Sequence, residues 1–318
     1  MFFYVLRRLG AVAVIAVIMT VIVFAATHIL PGNAAIMIMG KYATPEQIAA
    51  LEERLGLHAP LLTQYWDWVS GLVRGDFGQS MIMDRPVGPI VAEAFGKSLV
   101  LAACAMATVT FLGIFIGVVS AVHAGRPLDH ILSIFSYLGI SVPEFFWAII
   151  FIFVFAGWLR WLPAAGVAEP GAGFVAFVAH LVLPVATLTL TLLAHVARMT
   201  RSSMLEVLQS QFIKAARARG LPERTVLFRH ALRNGLLPTI TVLANDFGFL
   251  IGGIVVIETV FAYPGIGRLL IFAVERHDLP LMQAIILILT LVYCLANLIA
   301  DLLYAYFNPR IRYGRADG

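Results

Sequence analysis

Between Arg198 and Asn234 the chain carries seven arginines and one lysine against two acids, Glu206 and Glu223, with apolar runs on either side long enough to cross a bilayer. So basic a segment resists translocation and belongs on the cytoplasmic side, where a cytosolic partner or anionic lipid could engage it. A second kind of chemistry sits inside the apolar runs. Asp246, beside Asn245, lies near the middle of one of them, where an ionised carboxylate is costly unless it faces water or a partner. Two roles are open for it: lining a solute path, or an interhelical hydrogen bond holding a bundle. There is no Gly-x-x-x-x-Gly-Lys-Ser/Thr phosphate loop, no His-Glu-x-x-His zinc motif and no Gly-x-Ser-x-Gly elbow. The eight histidines are scattered, and a lone one such as His195 reads as a span-end residue rather than a ligand. No catalysis, no metal site and no resident cofactor are expected.

The elements that must position these groups follow from composition. With 61% hydrophobic and 13% charged residues and a mean hydropathy of +0.92, the chain is too apolar for an ordinary soluble domain of 318 residues. The net charge of +4 does not imply nucleic acid, because the basic residues cluster beside apolar spans, where topology accounts for them. Cys104 and Cys294 both lie in apolar runs and define neither a disulfide framework nor a metal spacing.

A hydrocarbon core of about 30 Å needs roughly 20 helical residues. Six stretches qualify: Leu9 to Leu30, Ser98 to Val122, Ile131 to Trp158, Phe174 to Val196, Leu236 to Ile257 and Leu281 to Tyr304. The first has the basic entry of a secretory signal at Arg7 and Arg8 but too long an apolar core, so it is expected to remain as a span. The predicted class is an all-α, polytopic membrane protein with six transmembrane helices. Of 22 Lys and Arg residues, 14 fall at the two ends, at Arg126 and in the island, which places both termini in the cytoplasm. The expected organisation is an N-terminal segment and first span (1–30), an external helical segment (31–96), and a core of five spans (97–318) containing the cytoplasmic loop 198–234. Pro143 and Pro184 are expected to kink or interrupt their spans.

In the external segment, Thr44, Pro45 and Gln47 predict a helix start, continued by Ile48, Leu51 and Leu55 and stopped at Gly56. After Pro60, the spacing of Leu61, Tyr65, Val69 and Leu72 predicts a second amphipathic helix. This segment is either a cap on the membrane face or a docking surface for an external protein. In the island, Met204, Leu208, Phe212 and Ala215 predict one apolar stripe along a helix from Arg201 to Arg219. Ala215, Ala216 and Gly220 permit close approach, Gly220 ends the helix, and Leu221-Pro222 opens a second arm running to Arg233 and stopping at Asn234-Gly235. A basic amphipathic helix often lies on lipid, whereas this composition predicts a compact helix, turn and helix. Along the Asp246 span, Gly248, Gly252 and Gly253 are expected to permit close packing.

The run Lys214-Ala215-Ala216-Arg217-Ala218-Arg219-Gly220 resembles the Glu-Ala-Ala-x-x-x-Gly loop of bacterial binding-protein-dependent ABC importer permeases, with Leu237-Pro238 resembling the motif's closing Leu-Pro. The peptide and nickel branch is the most similar, through "GGIVVIETVFAYPGIGRLL", "ADLLYAYFNPRIRYG", "YVLRRLG", "ILPGN" and "SVPEFFW". The resemblance covers essentially the whole chain. Lys214 replaces the motif's glutamate, so no role tied to that carboxylate carries over, and Glu144 stands where the family more often has a small polar residue.

The resemblance implies a type I importer permease fold in the bacterial inner membrane. It also implies a heterodimer with a second homologous permease, two ATP-binding cassette ATPases that bind ATP-Mg, and an extracytoplasmic solute-binding protein. Di- or oligopeptides are the implied cargo, with nickel, glutathione or another small solute as alternatives. Phe212, Lys214, Ala215, Ala216, Arg217, Gly220, Leu221 and Pro222 would be the coupling element. Asn245, Asp246, Glu258, Pro264 and Gly265 would belong to the path or its external gate. A secondary transporter would be expected to show inverted repeats, and a membrane enzyme a catalytic constellation; neither feature is visible.

Overall fold

The computed structural model describes residues 2–29, 44–46, 49 and 59–307. The helix predicted from Thr44 through Gln47, Ile48, Leu51 and Leu55 to Gly56 lies largely outside the described residues. Those described are almost wholly helical, as an apolar chain in lipid requires, since each backbone amide must find its partner within its own segment.

The helices are α1 (Phe2–Ile29), α2 (Leu61–Val73), α3 (Val87–Val122), α4 (Pro127–Ser141), α5 (Glu144–Phe151), α6 (Gly173–Gln209), α7 (Gln211–Ala218), α8 (Glu223–Thr225), α9 (Leu232–Gly235), α10 (Leu237–Val260), α11 (Ile266–Glu275) and α12 (Leu279–Phe307). Two π-helical segments interrupt the series: Ile152–Trp158 continues α5, and Val226–Ala231 joins α8 to α9. Among the described residues, five helices are long and apolar enough to cross a membrane, within α1, α3, α6, α10 and α12. The predicted third span, Ile131 to Trp158, is not one rod. It is two helices, Pro127–Ser141 and Glu144–Trp158, bent by 105°. The cause is local. Val142 precedes a proline, whose ring disfavours helical backbone in the residue before it, and Val142 is extended at φ −124°, ψ 137°. Pro184 has no such effect, for α6 runs through it unbroken.

The chain forms two compact units. One comprises 1–5, 99–263 and 295–318, the other 6–98 and 264–294. In the first, α6 is the central helix, with Leu183, Leu188, Leu192 and Val196 buried in a cluster that includes Val109, Ile254 and Phe261. Lipid tails are as apolar as leucine, so tight backbone approach rather than removal from water must hold such helices together. A Cβ on Gly139 of α4 would lie 2.0 Å from the Leu190 carbonyl oxygen, and Cβ atoms on Gly113 and Gly117 of α3 would overlap Val196 and Thr200 of α6. Two polar links join α6 to α10: Thr200 with Thr239 at 3.1 Å, and His195 Nδ1 with Asp246 Oδ1 at 3.2 Å.

In the second unit, Val87, Val91, Ile266, Leu281 and Ile285 make the core. The wholly buried Asp278 carboxylate caps α12 and gathers the loop before α3, accepting bonds from the Ser80 hydroxyl, the Met81 N–H at 3.2 Å and the Ile82 N–H at 3.3 Å. Here too α2 meets α1 through an aromatic contact. Tyr65 stacks edge-on against Phe24, with ring centroids 5.4 Å apart, and its hydroxyl bonds Thr20 at 2.8 Å.

Candidate coupling arm and polar interior

The predicted helix from Arg201 to Arg219 is divided. α6 continues out of its apolar stretch to Gln209, Ser210 adopts an extended backbone (φ −64°, ψ 155°), and α7 starts afresh. The break resets the helical phase, so the predicted stripe does not hold. Met204 is buried, but in α7 the buried residues are Ile213 and Ala216, whereas Phe212 and Ala215 are exposed. Ile213, Ala216 and Met204 pack with Ala121, Val226 and Ala231 in a small core of their own. That core seats α7 and the second arm together. Phe212, Lys214, Ala215, Arg217, Gly220, Leu221 and Pro222 all remain on the surface.

The turn forms as its residues dictate. Gly220 has φ +74°, its N–H bonds the Arg217 carbonyl at 2.9 Å and the Leu221 N–H reaches back to the Ala216 carbonyl at 3.4 Å. These are the two bonds of a Schellman closure, whose left-handed residue favours glycine. Arg217 spans the turn to Glu223 with two bonds, at 2.6 and 3.2 Å. The facing guanidinium lowers the Glu223 carboxyl below its ordinary range. The second arm ends at Gly235, as predicted, where a Cβ would lie 2.5 Å from the Met204 sulfur.

A half-buried ion pair joins α4 to α6. Asp129 at the start of α4 is 1% exposed and receives Arg201 of α6 through two bonds of 2.7 Å, as well as the Gly125 N–H at 3.0 Å. Sequence reasoning had no signal for it beyond the charges themselves, 72 positions apart.

The candidate path residues separate. Asp246 is buried at 6% exposure, bonded through Oδ1 to His195, while its Oδ2 has no hydrogen-bond partner. Its neighbour Asn245 is exposed, on a stripe of α10 with Phe249, Gly252 and Val256. His195 is therefore a partner of Asp246 rather than a solitary span-end residue. Gly253 packs as expected, against the Glu144 carboxylate, with a Cβ 2.8 Å from Oε2; Gly252 meets open space.

Glu258 was expected in an external segment; α10 instead extends to Val260, and Glu258 lies wholly buried in its last turns. Burial and this neighbouring acid push the Tyr263 phenol up to about 12, so it stays a neutral hydroxyl. In the second unit, Pro264 and Gly265 line a cavity of about 280 Å³ together with Ile90, Glu93, Ala94 and Lys97 of α3 and Arg268, Leu269 and Phe272 of α11. The Ser98 hydroxyl accepts the Ile266 N–H at 2.8 Å, at the start of α11. Among the described residues no group of three or more His, Cys, Asp or Glu side chains is placed to hold a metal ion.

Comparison with known proteins places this geometry in context. The family model described as "Binding-protein-dependent transport system inner membrane component" matches residues 113–313, and the corresponding N-terminal model matches residues 1–111. The probable peptide ABC transporter permease protein y4tP of Sinorhizobium fredii is 37% identical over 310 residues, 98% of this chain and 99% of that protein. The glutathione transport system permease protein GsiC of Escherichia coli is 39% identical over the same shares of each chain. Among solved structures, the MetNI methionine ABC transporter in an inward-facing conformation matches with a TM-score of 0.57 at 16% identity, covering 69% of this chain and 96% of that one.

Proposed function

Because the chain belongs to the family of binding-protein-dependent transport system inner membrane components, we propose that it forms half of a translocation path for small peptides, driven by separate ATPases acting on the arm from Gln211 to Gly235. The bundle is a multi-pass inner-membrane permease component of the type I importer fold. The peptide assignment rests on relatives that carry peptides or glutathione by name and match nearly end to end.

One observation carries the coupling role: the short helix α7 buries Ile213 and Ala216 and turns Phe212 and Ala215 outward, with Leu221 exposed just past the glycine turn. Phe212 is 47% exposed and Leu221 37%. Exposed apolar side chains ringed by Lys214, Arg217 and Arg219 suit a groove on a cytosolic protein better than water. In this reading an ATPase changes shape with nucleotide and pushes on α7. The core shared with Val226 and Ala231 moves both arms, and the spans shift between inward-open and outward-open packings. A second, homologous permease completes the path, two ATPases bind ATP-Mg, and an extracytoplasmic binding protein delivers the solute. In this reading both termini lie in the cytoplasm, which the lysine and arginine balance supports.

The test is a reconstituted complex carrying Gly220→Leu. A bulky side chain at φ +74° costs roughly 1–2 kcal/mol and misplaces the turn. Assembly and ATP hydrolysis are expected to persist while peptide uptake falls at least tenfold. Full uptake in that variant, or ion-driven uptake by this chain without ATPases, removes the reading.

A further inference from the structure

Glu144 opens α5 just past the bend after Ser141, and the packing around it leaves its charge without a use. A Cβ on Gly253 of α10 would lie 2.8 Å from its Oε2 and 3.2 Å from its Oε1, so the carboxylate rests against backbone that a side chain would otherwise cover. Gly253 precedes Val260, the last residue of α10, by roughly 10 Å, which sets this carboxylate inside a span. Among the described residues no hydrogen bond or ion pair reaches it, and Glu144 is only half-buried. The acids of α10 itself turn inward: Asp246, bonded to His195, is 6% exposed and Glu258 is wholly buried. Glu144 is therefore the acid that α5 and α10 leave open. An ionisable side chain at such depth faces water or a partner rather than lipid tails. The neighbouring exposed residues agree, for Ser141, Phe145 and Phe146 around Glu144, and Asn245, Phe249 and Gly252 on α10, mix polar with aromatic groups as solute sites do. Farther along α4, Ile131, Ile134 and Phe135 are exposed, a run suited to hydrocarbon instead.

We infer that Glu144 faces the solute path and selects for peptides with a positively charged side chain, its carboxylate accepting the ammonium or guanidinium of the passing solute. An ionised carboxylate only accepts hydrogen bonds, and these two cations are the side-chain groups that supply several donors together with the opposite charge. In a wall of low dielectric the same charge repels an acidic solute, so the discrimination works in both directions. The inference rests on the peptide-transport reading and narrows its cargo.

The test is local labelling in the reconstituted permease–ATPase complex. In a background with Cys104→Ser and Cys294→Ser, Ser141→Cys is reacted with a cationic and an anionic methanethiosulfonate, each rate divided by that reagent's rate with free thiol. The cationic reagent is expected to react about tenfold faster in at least one nucleotide state, a gap of the size a charged cleft gives to association. Glu144→Gln should abolish the gap, and Glu144→Asp should keep it. With Glu144 in place the dipeptide Ala-Lys should slow labelling more than Ala-Met does, a difference absent from Glu144→Gln. Inertness of Ser141→Cys in every state, a gap that survives Glu144→Gln, or equal protection by the two dipeptides overturns the inference. ATP-driven uptake of Ala-Met by the wild-type complex reads the transport function separately, so a charge-blind path in a working transporter sinks only the selectivity.

Discussion

Asp129 and Arg201 carry the strongest polar contact described in the first unit, and its energetics set a sharp expectation. Removing one partner of a fully buried pair costs about 3–5 kcal/mol, because the other charge is left without compensation. Arg201 keeps 35% of its side-chain exposure, so the loss in Asp129→Asn should be nearer 2 kcal/mol. A thermal melt of the purified complex should show it, and Arg201→Gln in the same background should recover part. The surface pair Arg217–Glu223 behaves differently. Glu223 has its folded-state value lowered, so its contribution is present above the unfolded glutamate value and disappears as pH falls through the folded one. Near neutral pH, Glu223→Gln should change stability by less than about 0.5 kcal/mol, measured by the same melt. Neither Asp129 with Arg201 nor His195 with Asp246 could be read from the chain, because partners 72 and 51 positions apart leave no local pattern. The Gly220 turn was legible, since every atom that closes it lies within six residues.

Helices in this bundle meet backbone to backbone, and the glycines show where. At Gly139 a methyl group would strike a carbonyl oxygen that cannot swing aside, so Gly139→Ala should lower the thermal midpoint by the equivalent of 1–3 kcal/mol or more. Gly252→Ala meets nothing within 4 Å and should be neutral or slightly stabilising, because alanine is the better helix former. Equal effects of the two changes would contradict the packing described. The six apolar stretches were readable because length and hydropathy are summed properties, and the bend after Ser141 was foreshadowed by Pro143. The stop at Ser210 was not. Serine is only mildly unfavourable inside a helix, and the apolar residues on either side happen to keep a spacing of four across the break, so periodicity alone joined two helices whose buried faces differ.

At the scale of the molecule, crossing number decides which parts share a side of the membrane. Among the described residues, the bent pair counted as one broken span gives six candidate crossings; as a re-entrant loop it would leave five. In a background with Cys104→Ser and Cys294→Ser, single cysteines replacing Arg126, Glu169 and Arg229 can be labelled from either face of oriented vesicles. Six crossings predict Arg126→Cys and Arg229→Cys reactive from one face and Glu169→Cys from the other. Labelling of Arg126→Cys and Glu169→Cys from the same face would mean the bent pair turns back. The interruption at Ser210 has a last consequence, for molecular divergence. Since the outward residues of α7 take no part in the packing phase of α6, that surface can change its side chains without disturbing the bundle, and under the proposed coupling role the fit to a motor would then evolve as a module of a few side chains.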